Sequence, residues 1–118
     1  MPRVKVFYPE GMFADPAEKN SFMDEVASAV AAALSCRDYN DELCRLKAEE
    51  IDIFSSPFSS ENARLGKDLA IEIMGFDYPS RMGNIEDRLV EIKGGISGIT
   101  LGRKASVSFI GIAEGCWV

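Results

Sequence analysis

Pro2-Arg3-Val4-Lys5-Val6-Phe7-Tyr8-Pro9-Glu10-Gly11-Met12 is the stretch on which the fold turns. Val4, Val6 and Tyr8 alternate with Arg3, Lys5 and Phe7, the period of a strand with two unlike faces. Pro9-Glu10-Gly11 ends that strand. Asp15-Pro16-Ala17-Glu18 then opens a helix: Asp15 caps, Pro16 suits the first helical position and Glu18 sits where a capping-box carboxylate belongs. Phe22, Met23, Val26, Val30 and Leu34 recur at helical spacing, so the helix runs over about 16–35.

Working outward, residues 36–48 are charged and irregular, with Leu43, Leu46 and Lys47 hinting at a short helical turn. A second strand is expected around 50–55, followed by a serine-rich loop over 55–67 that contains Pro57 and Gly66. The pattern then restarts. Leu69, Ile71 and Ile73 alternate with Ala70, Glu72 and Met74 in a third strand over 68–75. A loop follows over 76–83. Asn84 is placed to cap a second helix whose apolar stripe is Ile85, Leu89, Ile92 and Ile96, and Gly94-Gly95 predicts its end near 94. A last strand is expected over 104–112, with Cys116-Trp117-Val118 as a terminal strand or tail.

Strand–helix–strand therefore occurs twice, over about 2–55 and 68–113, with a tail over 114–118. Tyr8-Pro9-Glu10-Gly11-Met12 and Tyr78-Pro79-Ser80-Arg81-Met82 both read Y-P-x-x-M, an echo that suggests internal duplication. Each half is a right-handed β-α-β unit with parallel strands. The expected fold class is α/β, an α+β sandwich: two tandem units in one four-stranded mixed sheet, both helices on one face. Strands rich in Ile, Val and Phe on both sides need cover on the other face as well. Further subunits are the economical cover.

At 118 residues the chain is expected to be a single domain, and its 47% hydrophobic and 27% charged content is ordinary for a globular protein. A net charge of −6 argues against nucleic acid as the main partner. No segment reaches the roughly 18 apolar residues of a membrane-spanning helix, so no membrane partner is expected. The N-terminus has no secretory signal, and three cysteines, Cys36, Cys44 and Cys116, fit reduced thiols in the cytoplasm.

The chain contains no histidine. That excludes Ser-His-Asp and Cys-His catalysis and the common His-based zinc sites, and no metal or cofactor is expected. Acid–base work falls to carboxylates, Lys, Tyr, Cys or the terminus. Pro2 follows the initiator methionine directly; with Met1 removed, its nitrogen becomes a free secondary amine. An α-amino group has a pKa of roughly 7.7–8.0, and apolar surroundings lower it toward neutrality. Such an amine suits a general base. As single residues, Met74 and Phe109 read equally as packing, and each arginine as a solvated surface charge.

Pro2 opening the first strand, Glu10-Gly11 closing it and the doubled β-α-β order together resemble the tautomerase superfamily, which includes 4-oxalocrotonate tautomerase, macrophage migration inhibitory factor and malonate semialdehyde decarboxylase. The resemblance implies a homotrimer with helices outside, and Pro2 as the catalytic base for keto–enol proton transfer on a small anionic metabolite, a 2-keto or enol carboxylic acid. It implies Arg37 and Arg81 as candidates to bind the carboxylate, with Arg3 a weaker one because it alternates away from Pro2. It implies Met74 and Phe109 as pocket walls, with Trp117 a further candidate. Related members use the same proline for hydration, dehalogenation or decarboxylation. Where 4-oxalocrotonate tautomerase carries an arginine after Glu-Gly, this chain has Met12. The rival reading is a non-enzymatic oligomeric or ligand-binding module on the same fold or on a ferredoxin-like sandwich.

Overall fold

A computed structural model describes residues 2–38, 40–59, 68–100 and 102–113. The alternation of the first stretch becomes strand β1 (Arg3–Pro9), with Val4, Val6 and Tyr8 buried and Arg3 and Lys5 exposed. Gly11 holds the turn that follows at φ 80°, a conformation that a side chain would strain. Helix α1 spans Pro16–Leu34, and the Asp15 side chain accepts a 2.8 Å hydrogen bond from the Glu18 amide. Its stripe of Phe22, Val26, Val30 and Leu34 is buried.

The segment after α1 is not a helical turn. Two short strands, β2 (Cys36–Arg37) and β3 (Leu43–Cys44), pair antiparallel in a small hairpin, and a 3₁₀ turn follows at Ala48–Glu50. Asp38 ties the hairpin loop together: its carboxylate accepts from the Asn40 and Glu42 amides at 2.9 and 3.0 Å. Asp41 takes φ 61°, a left-handed conformation that Asp tolerates better than most residues.

Strand β4 (Asp52–Phe58) is longer than the expected 50–55 and includes Pro57, which the serine-rich composition assigns to a loop. It lies at the sheet edge, parallel to β1 from Arg3↔Asp52 to Pro9↔Phe58. An edge strand tolerates proline because the missing amide is not needed for a second neighbour.

Strand β5 (Leu69–Phe76) runs antiparallel to β1 and opens the second half. Within the expected loop over 76–83 lies a single helical turn, α2 (Pro79–Met82). Helix α3 spans Ile85–Ile96 and passes through Gly94-Gly95 instead of ending there; a 3₁₀ turn at Ser97–Ile99 finishes it. Gly95 is where α3 meets α1, since a Cβ there would sit 3.5 Å from Ala29 Cβ. The Asn84 side chain makes no cap bond; it accepts instead from Arg88 Nε at 2.7 Å. Strand β6 (Ala105–Ile112) is parallel to β5.

The sheet order is β4-β1-β5-β6, with each β-α-β half contributing a parallel pair and the halves meeting antiparallel at β1/β5. The core joins Val4, Val6, Leu69, Ile71 and Ile73 of the sheet to α1 and to Ile92 and Ile96 of α3. Each such side chain, fully buried, contributes about 1.5–3 kcal/mol.

The Y-P-x-x-M echo is out of step in three dimensions. Pro9 is still paired within β1, whereas Pro79 begins α2 after β5 has ended. Met12 is buried and Met82 exposed. The repetition between the halves therefore lies in the order of elements and not in that motif.

Candidate functional site

One end of the sheet gathers the start of β1, the ends of β5 and β6, the turn α2 and the C-terminus of α1. Arg3 pairs with Met74, so one step further along the antiparallel register Pro2 stands across from Gly75. Pro2 is buried, and its carbonyl accepts from the Asp52 amide at 3.2 Å. Strand alternation places Pro2 on the helix side of the sheet with Val4 and Gly75.

Gly75 is paired with Gly111 across β5 and β6. Both positions admit the α2 segment onto the sheet. A Cβ on Gly75 would stand 3.1 Å from the Phe109 ring and 3.2 Å from Arg81 Nη1; one on Gly111 would meet Asp77 Cβ at 3.0 Å. The close approach explains why glycine occupies both places.

Arg81 is only 1% exposed. Its Nε and Nη2 both donate to the Leu34 carbonyl, at 3.2 and 3.0 Å, and Nη1 donates to the Phe76 carbonyl at 2.8 Å. Its guanidinium lies 5.0 Å from the Tyr78 ring centre and 6.0 Å from that of Phe109. Among the described residues no carboxylate forms an ion pair with it; the carbonyl end of α1 supplies the compensating negative potential. Arg88 supports the same helix end, donating from Nη1 to the Ala33 and Ser35 carbonyls at 2.7 and 2.9 Å. Sequence reasoning missed this use of Arg88. Its only local signal was a helix, α1, that ends without a basic residue in its last turn.

Arg37 lies on the β2–β3 hairpin, its side chain 55% exposed. Its amide donates to Ser80 Oγ at 2.8 Å, and that hydroxyl donates to the Arg37 carbonyl at 2.9 Å, so the hairpin is buttoned to α2 beside Arg81. The guanidinium itself turns into its own loop: Nη1 donates to the Asp41 carbonyl at 2.9 Å, and Nε is 3.9 Å from the Asp41 carboxylate.

Of the five sequence-derived site residues, Pro2, Arg81 and Phe109 share the helix side of one sheet end, and Arg37 is tethered next to it. Met74 does not join them within one chain. It projects from the opposite, open face between Arg3 and Ile110. That face carries a shallow concavity of about 350 Å³ lined by Arg3, Lys5, Phe54, Glu72, Met74 and Ile110. Trp117 and Cys116 lie outside the described residues.

Met12, the departure from the 4-oxalocrotonate tautomerase pattern, is buried at 6% exposure in the core cluster. Among the described residues no group of three or more Cys, Asp or Glu is placed to hold a metal ion, and no helix is long and apolar enough to cross a membrane.

No family model and no curated protein sequence matches this chain. Solved structures do. A fused 4-OT, a symmetric trimer, superposes with a TM-score of 0.70 at 8% identity, covering 95% of this chain and 86% of that one. A macrophage migration inhibitory factor-like protein from Entamoeba histolytica gives 0.67 at 9% identity, covering 99% and 93%. A malonate semialdehyde decarboxylase inhibited by 3-bromopropiolate gives 0.65 at 11% identity, covering 100% and 87%. At such identities the likeness is one of architecture, and by that architecture the chain has the fold of the tautomerase superfamily.

Proposed function

We propose that this protein is a cytoplasmic tautomerase-like enzyme in which Pro2, freed by removal of Met1, moves a proton between carbon and oxygen of a small 2-keto or enol carboxylic acid. The observation that carries this reading is the burial of Pro2 across from Gly75, at the sheet end where Arg81 is held. With Met1 gone, a terminal amine on the side of the sheet where a fixed cation is held favours its neutral form, which is the form a base needs. Arg81 is committed to carbonyls and acts through its field. Arg37 is the arginine able to turn: its contact with the Asp41 carboxylate is long and solvent-exposed, and a guanidinium binds a carboxylate in two-pronged fashion. Phe109 forms an apolar wall.

The open sheet face supports a homotrimer. It exposes Phe54, Met74 and Ile110 among charged neighbours, and a fused 4-OT of the same fold is a symmetric trimer. In such an assembly Met74 would wall a pocket of a neighbouring subunit.

Met12 favours a second reading. A core methionine at the position of a substrate arginine fits a binding module that has kept the fold without the chemistry. Labelling with 3-bromopyruvate followed by peptide mapping separates the two. Modification at the Pro2 amine, with loss of phenylpyruvate tautomerase activity, is the result expected of the enzyme. Labelling of cysteines alone, or retention of Met1 in the intact mass, would overturn the proline mechanism.

A further inference from the structure

Cys36 and Cys44 stand directly opposite each other in the β2–β3 ladder. Directly opposed residues on antiparallel strands have Cα atoms about 4.5–5.5 Å apart, inside the roughly 4.4–6.8 Å window of a disulfide, and their Cβ atoms, about 4.5–5.5 Å apart, must draw in to the roughly 3.5–4.5 Å of a bridge. Opposed side chains also leave the ladder on the same side. The two sulfurs are not bonded to each other in this structure. Cys36 is 6% exposed, whereas Cys44 is half-buried and can be reached from solvent.

We propose that Cys36 and Cys44 are a peroxide-responsive dithiol whose closure to a cross-strand disulfide pins the hairpin that carries Arg37. The Cys44 thiol gives up its proton and its thiolate attacks the terminal oxygen of a hydroperoxide; the S–O bond forms, the O–O bond breaks, and the departing oxygen takes that proton and leaves as water or an alcohol. The Cys44 sulfenic acid is then attacked by the Cys36 sulfur: the S–S bond forms, the S–O bond breaks, and the hydroxyl leaves as water with the Cys36 proton. Two electrons pass from the sulfur pair to the peroxide.

The surroundings hold the pair in register. The loop between the two cysteines is held by the Asp38 carboxylate, and the hairpin is anchored to α2 through Ser80 and to Ser35 through the Leu46 amide at 3.0 Å. Burial and the Cys36 sulfur raise the Cys44 thiol and Arg81 only partly opposes them, so the attacking thiolate is scarce at neutral pH and closure is slow until the buffer turns alkaline or peroxide is abundant. A bridge that solvent reaches at its Cys44 sulfur is open to attack by a reducing thiol. This inference does not depend on the role of Pro2.

The test uses the full chain with Cys116→Ser, treated with hydrogen peroxide and then alkylated. The expected result is an intact mass lower by two hydrogens, complete loss of both remaining thiols to alkylation, and full recovery with dithiothreitol. Trypsin cuts after Lys19, Arg37 and Arg45, so the bridge must appear as peptide 20–37 linked to peptide 38–45. Adding Cys44→Ser must abolish the link. Full alkylation of both thiols after peroxide, sulfinic acid on Cys44 without a link, or linkage between chains instead of within one would overturn the proposal.

Discussion

Arg81 Nη1 lies 3.2 Å from the point where a Cβ on Gly75 would stand, and the Phe109 ring is 3.1 Å from the same point. Gly75→Ala therefore pushes against two groups at once. Neither yields freely: Arg81 is held by three hydrogen bonds and Phe109 packs against the core. The substitution should cost about 1–3 kcal/mol, the range for overpacking. Gly94→Ala should do the opposite. Among the described residues, and apart from the helix's own backbone, nothing lies within 4 Å of where a Cβ there would stand, and the position sits inside α3, so the change should stabilise by about 0.5–1 kcal/mol. Urea midpoints moving in opposite directions are the expected readout; a neutral Gly75→Ala would show that Arg81 is not fixed there.

Arg81 joins parts of the chain that are far apart in sequence, bonding the carbonyls of Leu34 and Phe76. Arg81→Met keeps much of the volume but leaves two carbonyls without these donors. Unsatisfied buried groups cost about 1–3 kcal/mol each, so the loss in urea unfolding should be about 2–5 kcal/mol. Arg81→Lys should recover part of it, because an ammonium reaches one carbonyl but lacks the planar fork. Equal losses for Met and Lys would mean that the guanidinium geometry is what the site requires.

How much of this was legible in the sequence follows from length and period. The strands around Val4–Val6 and Leu69–Ile73, and the helix through Phe22–Leu34, are long enough for their alternation to declare itself. So the paired β-α-β order could be read. The hairpin of Cys36–Arg37 with Leu43–Cys44 and the turn Pro79–Met82 are too short for a period to repeat, and no glycine marks the left-handed residue, Asp41. Pro57 concealed the end of β4 because composition does not reveal which strand is an edge. At the candidate site the residue types were visible in the sequence, but not their directions. Met74 and Phe109 read alike as apolar strand residues, yet the pairing places them on opposite faces.

Arg37→Leu tests the mobile cation of the proposed enzyme. Arg37 is held by its backbone to Ser80, and those bonds survive the change. Its exposed ion pair contributes little, so stability should move by less than about 0.5 kcal/mol. Losing a charge-assisted carboxylate contact should cost roughly 1.5–3 kcal/mol of binding, or about 10-fold or more in KM for phenylpyruvate, with kcat less affected. An unchanged KM in a folded variant would remove Arg37 from the pocket.

Cys44 offers a check on the dithiol that needs no oxidant. Burial raises its thiol above the ordinary value, the Cys36 sulfur adds to the rise, and Arg81 only partly opposes it. The folded state therefore holds this proton to higher pH than the unfolded chain does. The linked stability is fully present below the ordinary thiol range and is lost as pH climbs through the raised value. Under reducing conditions, the wild-type protein should lose more Tm between neutral and alkaline buffer than Cys44→Ser, which lacks the group. Iodoacetamide should likewise label Cys44 more slowly than an unfolded-peptide control at neutral pH, with the two rates converging as the buffer becomes alkaline. Parallel Tm profiles together with peptide-like labelling would mean that Cys44 does not feel Cys36. The opposed pair would then be two separate thiols.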